Sequence, residues 1–267
     1  MKIALINDVH IGPESPYKGR IRKLSRFSEA ELGRVLAEIK ARPDIDAVIQ
    51  LGDLIQWESP EVNVAGYKKG LDLFKALPQP VYHLMGNHEQ RYLSEADLLA
   101  WTGRDQLYYR FELPEYSGLA LYSRHQSDLA PQIDQDQLTW LRQELSRAQK
   151  PVLVFVHHPL DDQSMQGNPW FETIPEEALL ENRAEVRAIL ENSGKVRAVF
   201  QAHVHWRHLT IYNGIPYITL QSLVEDIGTE EAPEPARSWA IAEFADNSLI
   251  LQQFGYTEEV LILPLED

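Results

Sequence analysis

The sequence has 267 residues, with 40 Asp or Glu against 25 Lys or Arg, so its formal net charge is −15. This acidity argues against a protein that binds nucleic acid regardless of sequence, because such proteins need a positive surface to displace counterions. Cysteine is absent, which excludes a disulfide scaffold, thiolate-bound zinc and a cysteine nucleophile.

Short apolar runs rich in β-branched residues predict buried strands in the first part of the chain. These runs are residues 2–6, 47–51, 81–85, 152–156 and 196–200. Segments between them carry apolar residues at spacings of three and four, which indicates helices. The predicted helices cover residues 29–41, 135–148 and 182–190, and a further helix start is indicated at Ser94.

The second part of the chain has strands and turns in place of the helical spacing. The predicted strands are 209–212, 217–220, 239–244 and 249–254, and a hairpin is predicted in mid-chain over 108–113 and 119–123. Residues 225–237 are acidic, contain Gly and Pro and lack periodicity, so we interpret them as a surface loop or lid. Together these patterns predict an α/β protein with two packed sheets, helices outside them, and one domain over residues 1–267.

Five polar clusters follow five of the predicted strands. They are Asp8-Val9-His10, Gly52-Asp53, Gly86-Asn87-His88-Glu89, His157-His158-Pro159 and His203-Val204-His205. Six of the nine histidines lie in these clusters, at the strand ends where α/β sheets bind ligands. Each cluster alone has a structural explanation, such as a turn at Gly52-Asp53, but their joint occurrence favours a common site.

The side chains of the clusters have the chemistry of metal ligands. Asp8 and His10 are two residues apart, as are His203 and His205, so each pair can chelate one ion from an extended segment. Imidazole and carboxylate together suit Mn, Fe or Zn, whereas Ca and Mg prefer oxygen alone. Two carboxylates, one amide and four imidazoles are too many for one tetrahedral ion. They suit two ions that share a carboxylate, an arrangement built for displacement at phosphorus.

The order and content of the five clusters resemble the calcineurin-like metallophosphoesterase superfamily, from residue 3 to about residue 220. The resemblance implies a four-layer αββα sandwich, in which helices flank two mixed β-sheets, with a dinuclear metal centre at the strand ends. It implies that one metal is held by Asp8, His10 and His205, and the other by Asn87, His157 and His203. Asp53 would bridge the two metals, and His88 would assist catalysis from outside the metal shell.

Within the superfamily the chain resembles bacterial class III cyclic-nucleotide and glycerophosphodiester phosphodiesterases. The segments 137–141 and 217–220 are also similar to manganese-dependent ADP-ribose/CDP-alcohol diphosphatases. Two positions depart from the family pattern, since Ala202 replaces a glycine and Gln56 replaces an Asp or Asn. Neither is a metal ligand in the pattern, so we expect changes in backbone packing and in hydrogen bonds around the site.

The resulting prediction is a metal-dependent phosphoric ester hydrolase, a phosphodiesterase that attacks small phosphodiesters with a metal-bound hydroxide. Asn87, His88 and Asp53 are its predicted catalytic residues, with His88 protonating the leaving oxygen. A phosphomonoesterase, a nucleotide diphosphatase and a non-catalytic binding module stay open as alternatives. The choice between the enzymes depends on pocket shape at residues 13–26, 161–174 and 225–237.

Several residues are candidates for contact with substrate: His158, His208, Trp57, Trp170 and Arg20. For the two tryptophans, packing at the rims of the sheets is the alternative. The only clear positive run follows the first cluster and comprises Lys18, Arg20, Arg22, Lys23 and Arg26. We interpret this run as a solvated face, with a phosphate-steering lip as the alternative.

The apolar run at the start of the chain ends at Asn7, too soon for a signal peptide or a membrane-spanning helix. We therefore expect a cytoplasmic protein that acts on a small phosphate ester, without a membrane or a long nucleic acid as partner. The family resemblance also implies a homodimer.

Overall fold

The computed structural model describes residues 1–125 and 130–265, and within them the chain forms twelve strands and six α-helices. The strands are β1 (Lys2–Ile6), β2 (Ala47–Gln50), β3 (Val81–His83), β4 (Tyr109–Glu112), β5 (Ser117–Ala120), β6 (Val152–Phe155), β7 (Val196–Gln201), β8 (His208–Tyr212), β9 (Ile215–Thr219), β10 (Trp239–Ala245), β11 (Ser248–Phe254) and β12 (Glu259–Pro264). The helices are α1 (Ser28–Lys40), α2 (Pro60–Phe74), α3 (Asn87–Tyr92), α4 (Glu95–Thr102), α5 (Gln135–Arg147) and α6 (Arg183–Asn192).

The strands form two mixed sheets. The first has the order β12-β11-β10-β1-β2-β3, and the second has the order β4-β5-β6-β7-β9-β8. In the first sheet β1, β2 and β3 are parallel, and β10 to β12 are antiparallel to their neighbours. In the second sheet β5, β6, β7 and β9 are parallel, and the edge strands β4 and β8 are antiparallel. The parallel strands therefore bring the carboxyl ends that carry the polar clusters to the edges of both sheets.

Alternating side chains in the central strands build three apolar layers. In β1, Ile3 and Leu5 face the core between the sheets, whereas Ala4 and Ile6 face the helices of the first sheet. In β6, Phe155 faces the core between the sheets, and its neighbour Val154 packs with residues of α5 and α6. Both faces of these strands are covered, which explains their uninterrupted apolar sequences. The predicted four-layer αββα sandwich is confirmed.

Most predicted elements are present, but α2, α3 and β12 were not predicted. Pro60 occupies the first turn of α2, and Ser59 caps the helix by accepting a hydrogen bond from the backbone N–H of Val62. Gly70 interrupts the apolar spacing of α2, because a Cβ atom there would lie 2.7 Å from Leu54 Cδ2. Gly70 thus lets the helix pack closely against the loop after β2. The same glycine breaks the apolar spacing from which the helix could have been predicted. None of the described helices combines the length and apolar character needed to cross a bilayer.

Gly118 in β5 offers a test of the packing between the sheets. A Cβ atom at this position would lie 2.2 Å from Phe111 Cζ, so Gly118→Ala forces the ring to move within a filled core. We expect this variant to lower the free energy of unfolding by about 1–3 kcal/mol, as measured by urea denaturation. Gly33→Ala in α1 is the matched control, since a Cβ atom there meets nothing within 4 Å. It should raise stability by up to about 1 kcal/mol, and equal effects of the two variants would contradict the packing argument.

Candidate metal centre

The five polar clusters follow β1, β2, β3, β6 and β7, and the third of them continues into α3, which begins at Asn87. Several predicted ligand residues there have left-handed backbone angles: Asp8 (φ 47°), His10 (φ 54°), Asp53 (φ 54°), His203 (φ 71°) and His205 (φ 61°). Such conformations are unfavourable for residues with a Cβ atom, and they concentrate at sites whose geometry matters for function. Backbone hydrogen bonds fix the first two loops to each other, from the N–H of Val9 and of His10 to Asp53 O at 2.8 and 3.1 Å.

One group of donor atoms combines Asp8, His10, Asp53 and His205, whose candidate ligand atoms all lie within 4.8 Å of one another. All four residues are buried. His10 Nε2 lies 3.0 Å from His205 Nε2, and Asp8 Oδ1 lies 3.7 Å from the same nitrogen. Asp53 Oδ2 lies 3.9 Å from His10 Nε2.

A second group lies on the other side of the Asp53 carboxylate. His157 Nε2 is 3.5 Å from Asp53 Oδ1 and 3.2 Å from Asn87 Oδ1. The ligand atoms of His157, His158 and His203 also lie within 4.8 Å of one another. Asp53 therefore directs one oxygen toward each group, which suits a carboxylate shared by both.

The arrangement of these atoms fits two cations. Asp8 Oδ1 and His203 Nδ1 are buried and find no hydrogen-bond partner among the described residues. Buried polar atoms without a partner are unfavourable for folding. Coordination to a metal ion would provide that partner for a carboxylate oxygen or an imidazole nitrogen. Burial lowers the pKa of His10 and His203 well below the usual value, which favours the neutral imidazole that a metal requires. Burial opposes the charge of Asp53, but the imidazoles of His88 and His157 outweigh it and hold its pKa well below the usual value.

Hydrogen bonds from outside the two groups orient the imidazole rings. His157 Nδ1 donates to Leu51 O at 2.8 Å, and His203 Nε2 donates to Glu177 O at 3.1 Å. His205 Nδ1 donates to Glu225 Oε2 at 2.7 Å. When the ring is neutral, its other nitrogen lacks a proton and can bind a metal ion, which is the usual way in which proteins fix the tautomer of a histidine ligand.

Glu89 connects the segments that follow β2 and β3 in the first sheet. Its carboxylate accepts hydrogen bonds from the backbone N–H groups of Gly86, Asp53, Leu54 and Ile55, at 2.7 to 3.2 Å. Burial raises its pKa to about 7. The sequence carried a signal for this role, because Gly86 followed three residues later by Glu89 is the spacing of a helix capping box.

A cavity of about 230 Å³ opens above the donor groups. Among the described residues, its walls are formed by Tyr17, Lys23, Asp53, Trp57, Asn87, His88, His125, Trp170, Phe171, Ile174, Glu177, His203 and His205. Trp57 stacks on His88 with ring centroids 4.2 Å apart, and Tyr17 stacks on Trp170 at 4.7 Å. The predicted aromatic contacts Trp57 and Trp170 thus border the site, and His125 joins them.

The other predicted substrate contacts do not line this cavity. His158 is completely buried, and its ring centroid lies 4.1 Å from that of His203. His208 lies on β8, where Nε2 is 2.9 Å from Thr210 Oγ1 and 3.3 Å from Asp161. The Arg20 guanidinium pairs with Asp226 at 2.6 Å. For these three residues the geometry gives no support to the predicted contact with substrate.

Two sequence interpretations change in the tertiary structure. The basic run is not uniformly solvated, since Lys23 is only 7% exposed and lies in the cavity wall. The segment 225–237 has an exposed middle, but it is anchored by backbone bridges from Glu225 to Lys23 and from Asp226 to Pro235. Glu225 also accepts a hydrogen bond from Trp170 Nε1 at 3.0 Å. The segments 13–26, 161–174 and 225–237 are therefore bound to one another beside the site.

Comparison with known proteins identifies the family. A model described as calcineurin-like phosphoesterase matches residues 1–207. The chain belongs to the calcineurin-like phosphoesterase family. This membership confirms the resemblance seen in the sequence, and with it the predicted class of enzyme, a metal-dependent phosphoesterase.

Two relatives of this calcineurin-like phosphoesterase carry the name probable cyclic nucleotide phosphodiesterase. The one from Fibrobacter succinogenes is 27% identical over 207 residues, which cover 77% of this chain and 73% of the relative. The one from Rhodopseudomonas palustris is 25% identical over 244 residues, which cover 88% of this chain and 82% of the relative. Among solved structures, a dimetal phosphatase from Danio rerio superimposes with a TM-score of 0.78 at 19% identity, covering 99% of both chains. This last likeness supports the fold.

Replacement of Glu225 tests whether its hydrogen bond to His205 supports metal binding. Glu225→Leu keeps the approximate volume but removes the acceptor that orients the imidazole. We expect metal affinity to fall by about 10–100-fold, measured by chelator competition with metal content as the readout. Glu230→Gln is the matched control, because it removes a negative charge from the same segment at an exposed position. An unchanged affinity in Glu225→Leu, or an equal loss in the control, would refute a specific role for Glu225.

Proposed function

We propose that this calcineurin-like phosphoesterase is a phosphodiesterase that hydrolyses small phosphodiesters with two bound metal ions. The observation that carries the proposal is the Asp53 carboxylate, which lies between two groups of buried donor atoms at the floor of a small cavity. The names of the two relatives support phosphodiesters as the substrate class. All seven predicted ligand positions carry a residue that can bind a metal ion, which favours an enzyme over a non-catalytic binding module.

We assign one ion to Asp8, His10 and His205 and the other to Asn87, His157 and His203, with Asp53 shared by both. The mixture of imidazole nitrogen and carboxylate or amide oxygen suits Mn, Fe or Zn. When bound, two such cations neutralise phosphate oxygens and lower the pKa of water so that it can act as the nucleophile.

His88 is the proposed hydrogen-bond donor to the leaving oxygen. Its Nδ1 accepts a hydrogen bond from the backbone N–H of Trp57 at 3.2 Å. A neutral His88 ring must then carry its proton on Nε2, since only one nitrogen of a neutral imidazole can accept. A neutral imidazole is too weak an acid to give up this proton, so the expected role is a hydrogen bond to the leaving oxygen and not its protonation. Nε2 lies 3.8 Å from Asp53 Oδ2, beside the proposed ions, where its N–H can stabilise the charge that develops on the leaving oxygen.

The remaining wall residues select and position the ester. The Asn87 amide borders the cavity and can meet charge that develops on the phosphate oxygens. The rings of Tyr17, Trp57 and Trp170 offer an aromatic surface to the organic part of the substrate. A cavity of about 230 Å³ in a chain of charge −15 suits small esters better than long nucleic acids. A single domain, a homodimer and a cytoplasmic location stay predictions.

A substrate panel tests the proposed function. Purified protein loaded with Mn, Co, Zn, Fe or Mg should hydrolyse bis(p-nitrophenyl) phosphate or a cyclic nucleotide with a higher kcat/KM than p-nitrophenyl phosphate or ADP-ribose. Activity should disappear on chelation and return with metal. A wide preference for the monoester would overturn the assignment as a phosphodiesterase, and no activity on any ester in a metal-loaded sample would overturn the proposed enzyme.

His88→Ala separates stabilisation of the leaving oxygen from metal binding. We expect kcat to fall by about 10²–10³-fold because the leaving oxygen loses its hydrogen-bond donor. Metal content, measured on the same sample by elemental analysis, should stay that of the wild type. Loss of metal in this variant would show that His88 belongs to the metal ligands instead.

A further inference from the structure

Lys23 places an ammonium group beside His88, the proposed hydrogen-bond donor to the leaving oxygen. Its Nζ lies 3.1 Å from His88 Nε2. The aromatic rings of Trp57 and Trp170 flank the ammonium group, with centroids 5.6 and 4.9 Å from Nζ. Lys23 lies outside the five polar clusters, and its role does not follow from them.

The backbone around Lys23 is fixed. Leu24 N–H donates to Val224 O at 2.9 Å, and Asp226 N–H donates to Arg22 O at 2.6 Å. These bonds pair the segment on both sides of Lys23 with the strand-like residues 224–226. The side chain is therefore directed into the cavity by the fold and is not a mobile surface lysine.

The contact between Lys23 and His88 joins two hydrogen-bond donors. His88 Nδ1 already accepts from Trp57 N–H, so Nε2 of the neutral ring bears the proton. Burial lowers the pKa of Lys23 to about 8, which leaves the ammonium form dominant at neutral pH. An ammonium group can only donate. Neither group can accept a hydrogen bond from the other, so both donors lack an acceptor.

Lys23 also lacks an ion-pair partner. Among residues 1–125 and 130–265, no carboxylate oxygen lies within 4.0 Å of Nζ, although Asp53, Glu225 and Asp8 attract the ammonium from farther away. A buried cation without an ion-pair partner is unfavourable for folding, so its position beside a catalytic group indicates a function.

We propose that Lys23 is a substrate-binding residue, whose ammonium group donates a hydrogen bond to the same oxygen atom of the phosphate ester as His88 Nε2–H. An anionic oxygen supplies the acceptor that both groups lack, and it accepts charge-assisted hydrogen bonds well. This inference rests on the proposed function, because it takes a phosphate ester as the ligand. It gives the site a protein cation in addition to the charge of the ions.

The experiment compares the binding of inorganic phosphate to metal-loaded wild type and Lys23→Met, by competitive inhibition and by titration calorimetry. We expect the Ki and the Kd of phosphate to rise about 10-fold or more, the effect of one charge-assisted hydrogen bond. Lys23→Arg should recover part of the affinity. The Tm of Lys23→Met should be unchanged or raised, because the variant removes a buried charge, whereas a purely structural lysine would lower Tm when replaced. Lys23→Gln serves in the same assays if the Met variant does not fold.

Lys18→Met is the matched control for loss of charge. Lys18 lies in the same segment, is exposed, and its Nζ contacts Thr173 Oγ1 at 3.1 Å. Its replacement should leave phosphate affinity unchanged. An equal loss of phosphate affinity in both variants would show long-range attraction and overturn the direct contact. A phosphate affinity of Lys23→Met within twofold of that of wild type, at equal metal content, would overturn it as well. Wild type that binds phosphate but hydrolyses no ester would contradict the proposed function alone, and wild type that does not bind phosphate would overturn the role of Lys23.

Discussion

The buried carboxylate of Asp53 is the interaction on which the rest of the site depends. It follows β2 in the first sheet, whereas His157, 3.5 Å from its Oδ1, follows β6 in the second sheet. The carboxylate therefore joins the carboxyl ends of two separate sheets. Its distance to both donor groups is set by the apolar core between the sheets, where Leu5 and Phe155 pack with their neighbours. A shift of one sheet against the other would place the donors too far apart to share a ligand.

The loops around Asp53 keep an unfavourable backbone conformation that only the surrounding structure can support. Each left-handed residue with a side chain costs on the order of 1–3 kcal/mol. Glu89 offsets part of this cost by accepting hydrogen bonds from four backbone N–H groups of the same loops. Gly86 permits the close approach, because a Cβ atom there would lie 2.1 Å from Asp53 Oδ1. The sandwich core thus stabilises a site that would not be stable as an isolated set of loops.

Charge is distributed differently over the surface and in the cavity. The net charge of −15 belongs mostly to exposed acidic residues, and it disfavours long polyanions at a distance. Inside the cavity the protein places donors, Lys23 and His88, next to positions suited to two cations. A small anionic ester is therefore attracted only at short range, where the ions and the lysine dominate the local field.

The sequence by itself determined all strands but β12, the order of the clusters and the ligand candidates, because each depends on local features. Apolar runs that end in polar residues predict strand ends. The expectation that His203 and His205 chelate one ion from an extended segment was wrong, because both residues have a left-handed backbone and they lie in different donor groups. Only the tertiary structure decided which nitrogen of His157 and of His205 faces the centre. The partners that fix these rings, Leu51 O and Glu225, lie 106 and 20 residues away in the chain, beyond the reach of any local pattern. It also decided that Lys23 is buried, because the pairing of its segment with residues 224–226 joins parts of the chain about two hundred residues apart. No periodicity within residues 13–26 could encode that contact.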